Sequence, residues 1–93
     1  MNLKKLFTEG KPLQTKRIFS AAESVTAIQL VAGAELKEHF SQVPSFLICM
    51  TGLIAFRAQG REETLGPGDF VHIEPVVKHS LEGREESLLL LIK

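Results

Sequence analysis

From residue 16 onward the chain alternates short apolar segments with turn-forming residues, at the spacing of about 8–12 residues that marks small all-β domains. The segments cover 16–19, 25–31, 36–40, 45–51, 53–58, 70–74, 79–82 and 87–92. Gly33, Pro44, Gly52, the 59–62 stretch, the Gly66-Pro67-Gly68 run, Pro75 and Gly83 separate them. Glycine takes positive φ at little cost, and proline cannot donate to a sheet ladder, so each interruption ends a strand. The 59–62 stretch reads as a hairpin loop. The closing 87–92 run is apolar on both faces, as in a buried strand, and is shorter than a typical helix. Only residues 3–9 offer a helical turn. About eight strands in so short a chain predict an all-β fold, a small antiparallel barrel or jelly roll.

At 93 residues the chain has room for one domain. We divide it into an N-terminal arm, 1–15, and a barrel, 16–93. A domain of this size buries only about 60–65% of its unfolded surface, so association with a second copy would relieve a thin stability margin. A homodimer is the expected state. Lys and Arg total 11 and Asp and Glu total 11, which argues against a nucleic-acid-binding protein or one held to an anionic membrane. The balance is uneven along the chain. Residues 1–17 carry five cations against Glu9, a surplus of four that the remainder cancels. This arm reads as a grip on an acidic partner or as a solvated segment paired to an acidic edge. The single Cys49 excludes an intrachain disulfide and suits a reducing cytoplasm. No uncharged run approaches the ~20 residues of a membrane span, and the first residues lack the features of a signal peptide.

Three histidines are present. His39 closes a strand that begins shortly after Gly33, and Gly52 follows the next strand. His79 follows Pro75, which is preceded by a Gly66-Pro67-Gly68-Asp69 turn and a strand. This two-part arrangement resembles the cupin superfamily over residues 25–92. The family's first motif runs from a glycine through a His-x-His pair and a glutamate to a second glycine. Its second runs from Gly-Asp through a strand and a Pro-containing turn to a histidine. The resemblance implies a double-stranded β-helix, the jelly roll of small single-domain cupins whose role is not established.

The resemblance also implies a ligand set, from which this chain departs. Metal-binding cupins join two histidines and a glutamate of the first motif to the histidine of the second. Ser41 stands at the second histidine position, and Ser45 at the glutamate position, or Phe46 if the spacer is one residue longer. His39 and His79 are the metal ligands that remain. Selective sites use three or more protein ligands, and a neutral hydroxyl is a poor one. A divalent transition metal (Zn, Fe, Mn or Ni) would be held weakly, or the two histidines serve packing and hydrogen bonding alone.

Strand alternation carries the candidates further. If His39 points inward, Lys37 and Ser41 share its face; if Ser45 does, Leu47, Cys49 and Thr51 follow. Cys49 is then either a cavity-lining thiolate ligand or a small buried apolar residue. His72 shares a face with Glu74, while Val71 and Ile73 point to the core, so His72 belongs outside. Asp69 caps its turn by bonding backbone amides. The Glu62-Glu63 and Glu85-Glu86 pairs look solvated. There is no phosphate-loop signature and no nucleophile elbow. Six Phe without Tyr or Trp fill a core but supply no tyrosyl acid or base.

Three functions follow. The first is a barrel that binds an unknown small molecule through His39, Ser41, Ser45, Cys49 and His79, with no assignable reaction. The second is a metal-dependent dioxygenase or isomerase with a degenerate ligand set. The third is an interaction module acting through dimerisation. Whether the chain is an enzyme is open, because fold does not fix function.

Overall fold

The computed structural model describes residues 5–7, 11–20 and 24–93, so the helical turn expected over 3–9 lies largely outside the described residues. Among the described residues there are nine strands. The first four are β1 (Leu13–Ser20), β2 (Ser24–Leu30), β3 (Glu35–His39) and β4 (Ser45–Thr51). Next come β5 (Ile54–Ala58), β6 (Arg61–Leu65) and β7 (Phe70–Ile73). The last are β8 (His79–Gly83) and β9 (Ser87–Ile92). They form a five-stranded sheet, β1-β2-β9-β4-β7, and a four-stranded sheet, β3-β8-β5-β6. Every pairing is antiparallel. No helix among the described residues is long and apolar enough to cross a membrane.

Two packed sheets need one apolar face each, and period-2 patterning provides it. In β4, Ser45, Leu47 and Cys49 are buried while Phe46 and Ile48 face away from the core. Leu47 and Cys49 join Ile28, Leu30 and Leu89 from the same sheet. From the other sheet come Ile54, Phe56, Leu65 and Leu81. The leucine run of β9 is held between β2 and β4; Leu89 and Leu91 pack on the core, and Leu90 and Ile92 lie on the outer face.

Three expectations need correction. The 59–62 stretch is only the tip of a hairpin: the chain returns as β6, paired with β5 from Leu65 to Arg61. Apolar periodicity missed β6 because four of its five residues are exposed and polar; it is a charged edge strand, a usual protection against edge-to-edge pairing. Glu62 is also not simply solvated. Its carboxylate accepts from Arg57 Nε at 2.7 Å, and Arg84 lies 3.5 Å away. Arg57 also donates to Glu82 at 2.7 Å, so these charges bind β5, β6 and β8 across the outer face. The first strand begins at Leu13, earlier than the expected 16.

The turns are set by local chemistry. Asp69 caps its glycine-rich turn as expected, accepting the Gly66 N–H at 2.8 Å. Gly52 has φ +92°, and a Cβ there would run into the Glu86 carbonyl and the Ser87 hydroxyl, so only glycine fits. Val76 is the opposite case. It holds φ +58° although β-branched, and its N–H donates to the Ser41 carbonyl at 2.8 Å. A non-glycine residue in this region costs on the order of 1–3 kcal/mol, while glycine costs about 0.4–1 kcal/mol in unfolded-chain entropy. Val76→Gly is therefore expected to stabilise the fold by about 1 kcal/mol in urea unfolding. A lower midpoint would show that the valine side chain contributes more than its backbone costs.

Candidate functional site

The open end of the barrel is built from the end of β3, the start of β4, the β7–β8 connection and the end of β9. His39 and His79 meet there as register partners. A bulge makes this possible. Between Leu36 and His39, β3 advances one residue more than β8 does between Leu81 and His79. Leu36 therefore packs on the core, His39 turns in on the same side, and Lys37 is exposed. The simple alternation that put Lys37 on the face of His39 fails for this reason.

The two rings contact edge to face, with centroids 4.3 Å apart. Phe56 stacks against His79 from β5, at 5.9 Å. His79 is 5% exposed. Its Nδ1 lies 3.0 Å from the Val77 carbonyl, and His39 Nδ1 lies 2.9 Å from the Lys37 carbonyl. A carbonyl oxygen only accepts, so each Nδ1 carries the proton and donates. Each Nε2 has no protein partner among the described residues. Burial pushes the His79 imidazole below its ordinary pKa, and the positive charges of His39 and Lys93 add to this, against the Val77 hydrogen bond.

At the same end runs an open groove of 740 Å³, lined in part by Ser41, Ser45, Phe46, His72 and Lys93; neither His39 nor His79 lines it. Ser45 is 3% exposed, and among the described residues no side-chain N or O atom is both buried and without a hydrogen-bond partner. Both serines of the expected pocket are therefore at this end, with the histidines. Cys49 is not. It is fully buried in the core, its Sγ–H pointing at the Thr51 carbonyl 3.4 Å away at the far end of β4. Burial, reinforced by the Asp69 charge, pushes its thiol pKa up, the setting of an inert buried residue. His72 is on the outer face, 60% exposed, with Nδ1 3.8 Å from Glu74.

Do these residues fit a resident metal? Two imidazole Nε2 atoms are sound ligands, with backbone carbonyls orienting each ring from behind. Among the described residues, however, no three His, Cys, Asp or Glu side chains converge. A pair of nitrogens and two neutral hydroxyls do not make a selective divalent site. The donor set fits weak, exchangeable metal contact only.

Lys93 and Phe56 escaped the sequence reading. Lys93 follows an apolar run with no motif around it. Phe56 is one of many core-type residues, and only the β5–β8 register places it beside His79.

No protein-family model and no curated protein matches the sequence. Solved structures do match. A cupin superfamily protein of Desulfitobacterium hafniense superposes with a TM-score of 0.90 at 11% identity, over 98% of this chain and 84% of that one. A conserved protein of unknown function from Streptococcus pyogenes gives 0.85 at 16% identity, over 99% and 82%. An RmlC-like cupin of Shewanella frigidimarina gives 0.81 at 20% identity, over 91% and 78%. The fold is the cupin jelly roll that the paired motifs implied.

The buried imidazole predicts a pH dependence. Folding lowers the proton affinity of His79 below its ordinary value of 6.5, so the unfolded chain binds more protons near and below that pH. The contribution is complete above 6.5 and is lost as pH falls toward the depressed folded value. Urea midpoints are expected to fall between about pH 7.5 and pH 5, and less steeply in His79→Gln. Parallel slopes for the two proteins would mean that His79 titrates alike folded and unfolded.

Proposed function

We propose that the barrel binds a small organic molecule at its open end, using His39 and His79 as hydrogen-bond acceptors. The observation that carries this reading is the pair of Nδ1–H···O=C bonds, which occupy each Nδ1 as a donor and leave each Nε2 without a protein partner among the described residues. A groove at the same end, lined in part by Ser41, Ser45 and apolar residues, offers hydroxyl donors and contact area. The reading names no reaction. A metalloenzyme would need a third donor that the described residues do not converge to give. The free, buried Cys49 favours a cytoplasmic protein.

Two measurements test this. Titration with Zn(II), Ni(II), Mn(II) and Fe(II) is expected to give dissociation constants above about 10 μM, weaker still in His39→Ala. Nanomolar binding by the unmodified chain would favour the metalloenzyme instead. In parallel, a panel of small hydroxylated fragments is expected to shift the amide signals of Ser41, Ser45 and His79 together. A panel that leaves all three unmoved removes the reading.

A second reading concerns assembly and has its own support. On the outer face of the five-stranded sheet, register places Phe46 beside Ile92, and Ile48 beside Leu90 and Phe70. Phe46 and Phe70 stack at 5.0 Å, yet Phe70 remains 59% exposed and Met50 37%. We propose that a second copy covers this face, because a continuous aromatic and aliphatic patch is costly to leave in water. Light scattering is expected to give twice the 10.3 kDa chain mass, and Phe70→Glu a monomer. A monomeric unmodified chain would refute the dimer.

A further inference from the structure

Two rows of register partners cross the inner face of the four-stranded sheet, and both end on a charge. His39, His79, Ala58 and Arg61 follow one another across β3, β8, β5 and β6. Leu81, Phe56 and Glu63 form the next row inward. Directly opposed residues of antiparallel strands point to one side, and Leu81, Phe56 and Leu65 belong to the core. Arg61 and Glu63 therefore project from the inner face of β6, while Glu62 between them turns outward to Arg57 and Arg84.

Inward-facing charges on an edge strand guard against edge-to-edge pairing. Two observations give this pair a further role. They border a recess of about 190 Å³, with Phe56, Ala58, Ile73 and Val77 on its apolar side and Glu74 lining it from just beyond β7. The small Ala58 makes the room, and His79 is its neighbour in the row. The Phe56 ring also stacks on His79, and the Val77 carbonyl accepts its Nδ1–H, so the recess adjoins the histidines. Secondly, charges of both signs stand unneutralised there. The outer-face arginines pair with Glu62 and Glu82, but among the described residues neither Arg61 nor Glu63 makes an ion pair.

Resting on the reading that the open end binds a small organic molecule, we infer that this molecule is a small zwitterion of the α-amino-acid class with an apolar side chain. The Arg61 guanidinium takes its carboxylate, a planar fork matched to two oxygens. Glu63 takes its ammonium, with Glu74 adding negative charge to that side. Phe56, Ile73 and Val77 cover the side chain. A purely anionic ligand would meet two carboxylates, and a purely cationic one a guanidinium. The recess is also smaller than the roughly 300–1,000 Å³ of pockets for drug-sized ligands, which suits so small a molecule.

NMR titrations of the whole chain with leucine, 4-methylpentanoate and 3-methylbutylamine test this, since the second lacks the ammonium and the third the carboxylate. Leucine is expected to move the Ala58, Arg61 and Glu63 amides and to bind about fivefold tighter than either analogue, the size of one exposed ion pair. Arg61→Gln is expected to bring leucine to the level of 3-methylbutylamine, and Glu63→Gln to that of 4-methylpentanoate, with thermal melts verifying that both fold. Either analogue binding as tightly as leucine overturns the zwitterion and leaves the small-molecule reading standing. A leucine preference that survives both substitutions overturns the placement at Arg61 and Glu63. If none of the three moves these amides, the inference falls and the two charges are edge protection alone. The wider reading then stands if the hydroxylated fragments still move the His79 amide, and falls with it if they do not.

Discussion

Between Leu36 and His39 the edge strand β3 carries one residue more than its partner β8, and the chemistry of the open end depends on that offset. Without it, Leu36 and His39 would face opposite sides of the sheet, because strand side chains alternate. With it, Leu36 reaches the core and His39 reaches His79. The register also explains why the histidines resemble each other. Each donates Nδ1–H to a carbonyl two residues upstream, so the same local turn of the chain fixes the same tautomer twice. A pair of rings oriented alike is the result, set by backbone carbonyls.

How much of this was legible beforehand follows the physics of each signal. Strands with one buried face announce themselves by alternation, as β4 does, and a strand apolar on both faces does so by its unbroken run, as β9 does. The charged edge strand β6 has neither pattern. Its pairing with β5 rests on backbone bonds and on Arg57 with Glu62, which composition cannot tell from a solvated loop. The paired Gly, His and Pro motifs made the cupin barrel readable, since those residues sit where the backbone turns. The serines at the open end were readable by the same correspondence. Lys93 was not, because its place over the mouth is set by a pairing with Ser24 far away in sequence. Nor was the bulge, since one inserted residue leaves no compositional trace.

Electrostatics divides the surface in a way that zero net charge conceals. On the outer face of the four-stranded sheet, Arg57 and Arg84 are interleaved with Glu62 and Glu82, so the field there is local and self-cancelling. At the groove the described lining holds Lys93 and no carboxylate side chain. A single unpaired cation beside an apolar wall attracts little by itself in water, because exposed pairs are screened.

The two ends of the barrel are accordingly unequal. At the far end of β4, Gly52 fits where no side chain could, and Ser87 donates to the Leu53 and Glu85 carbonyls while accepting the Leu53 N–H. Asp69 caps its turn, and polar groups there have partners inside the chain. At the open end Val76 holds a left-handed backbone and His79 is desolvated. Each of these lowers stability in a small domain with little to spare. Selection for folding alone would remove such features easily, with a glycine for Val76 for example. Their concentration at one end is what a binding site retained against stability looks like.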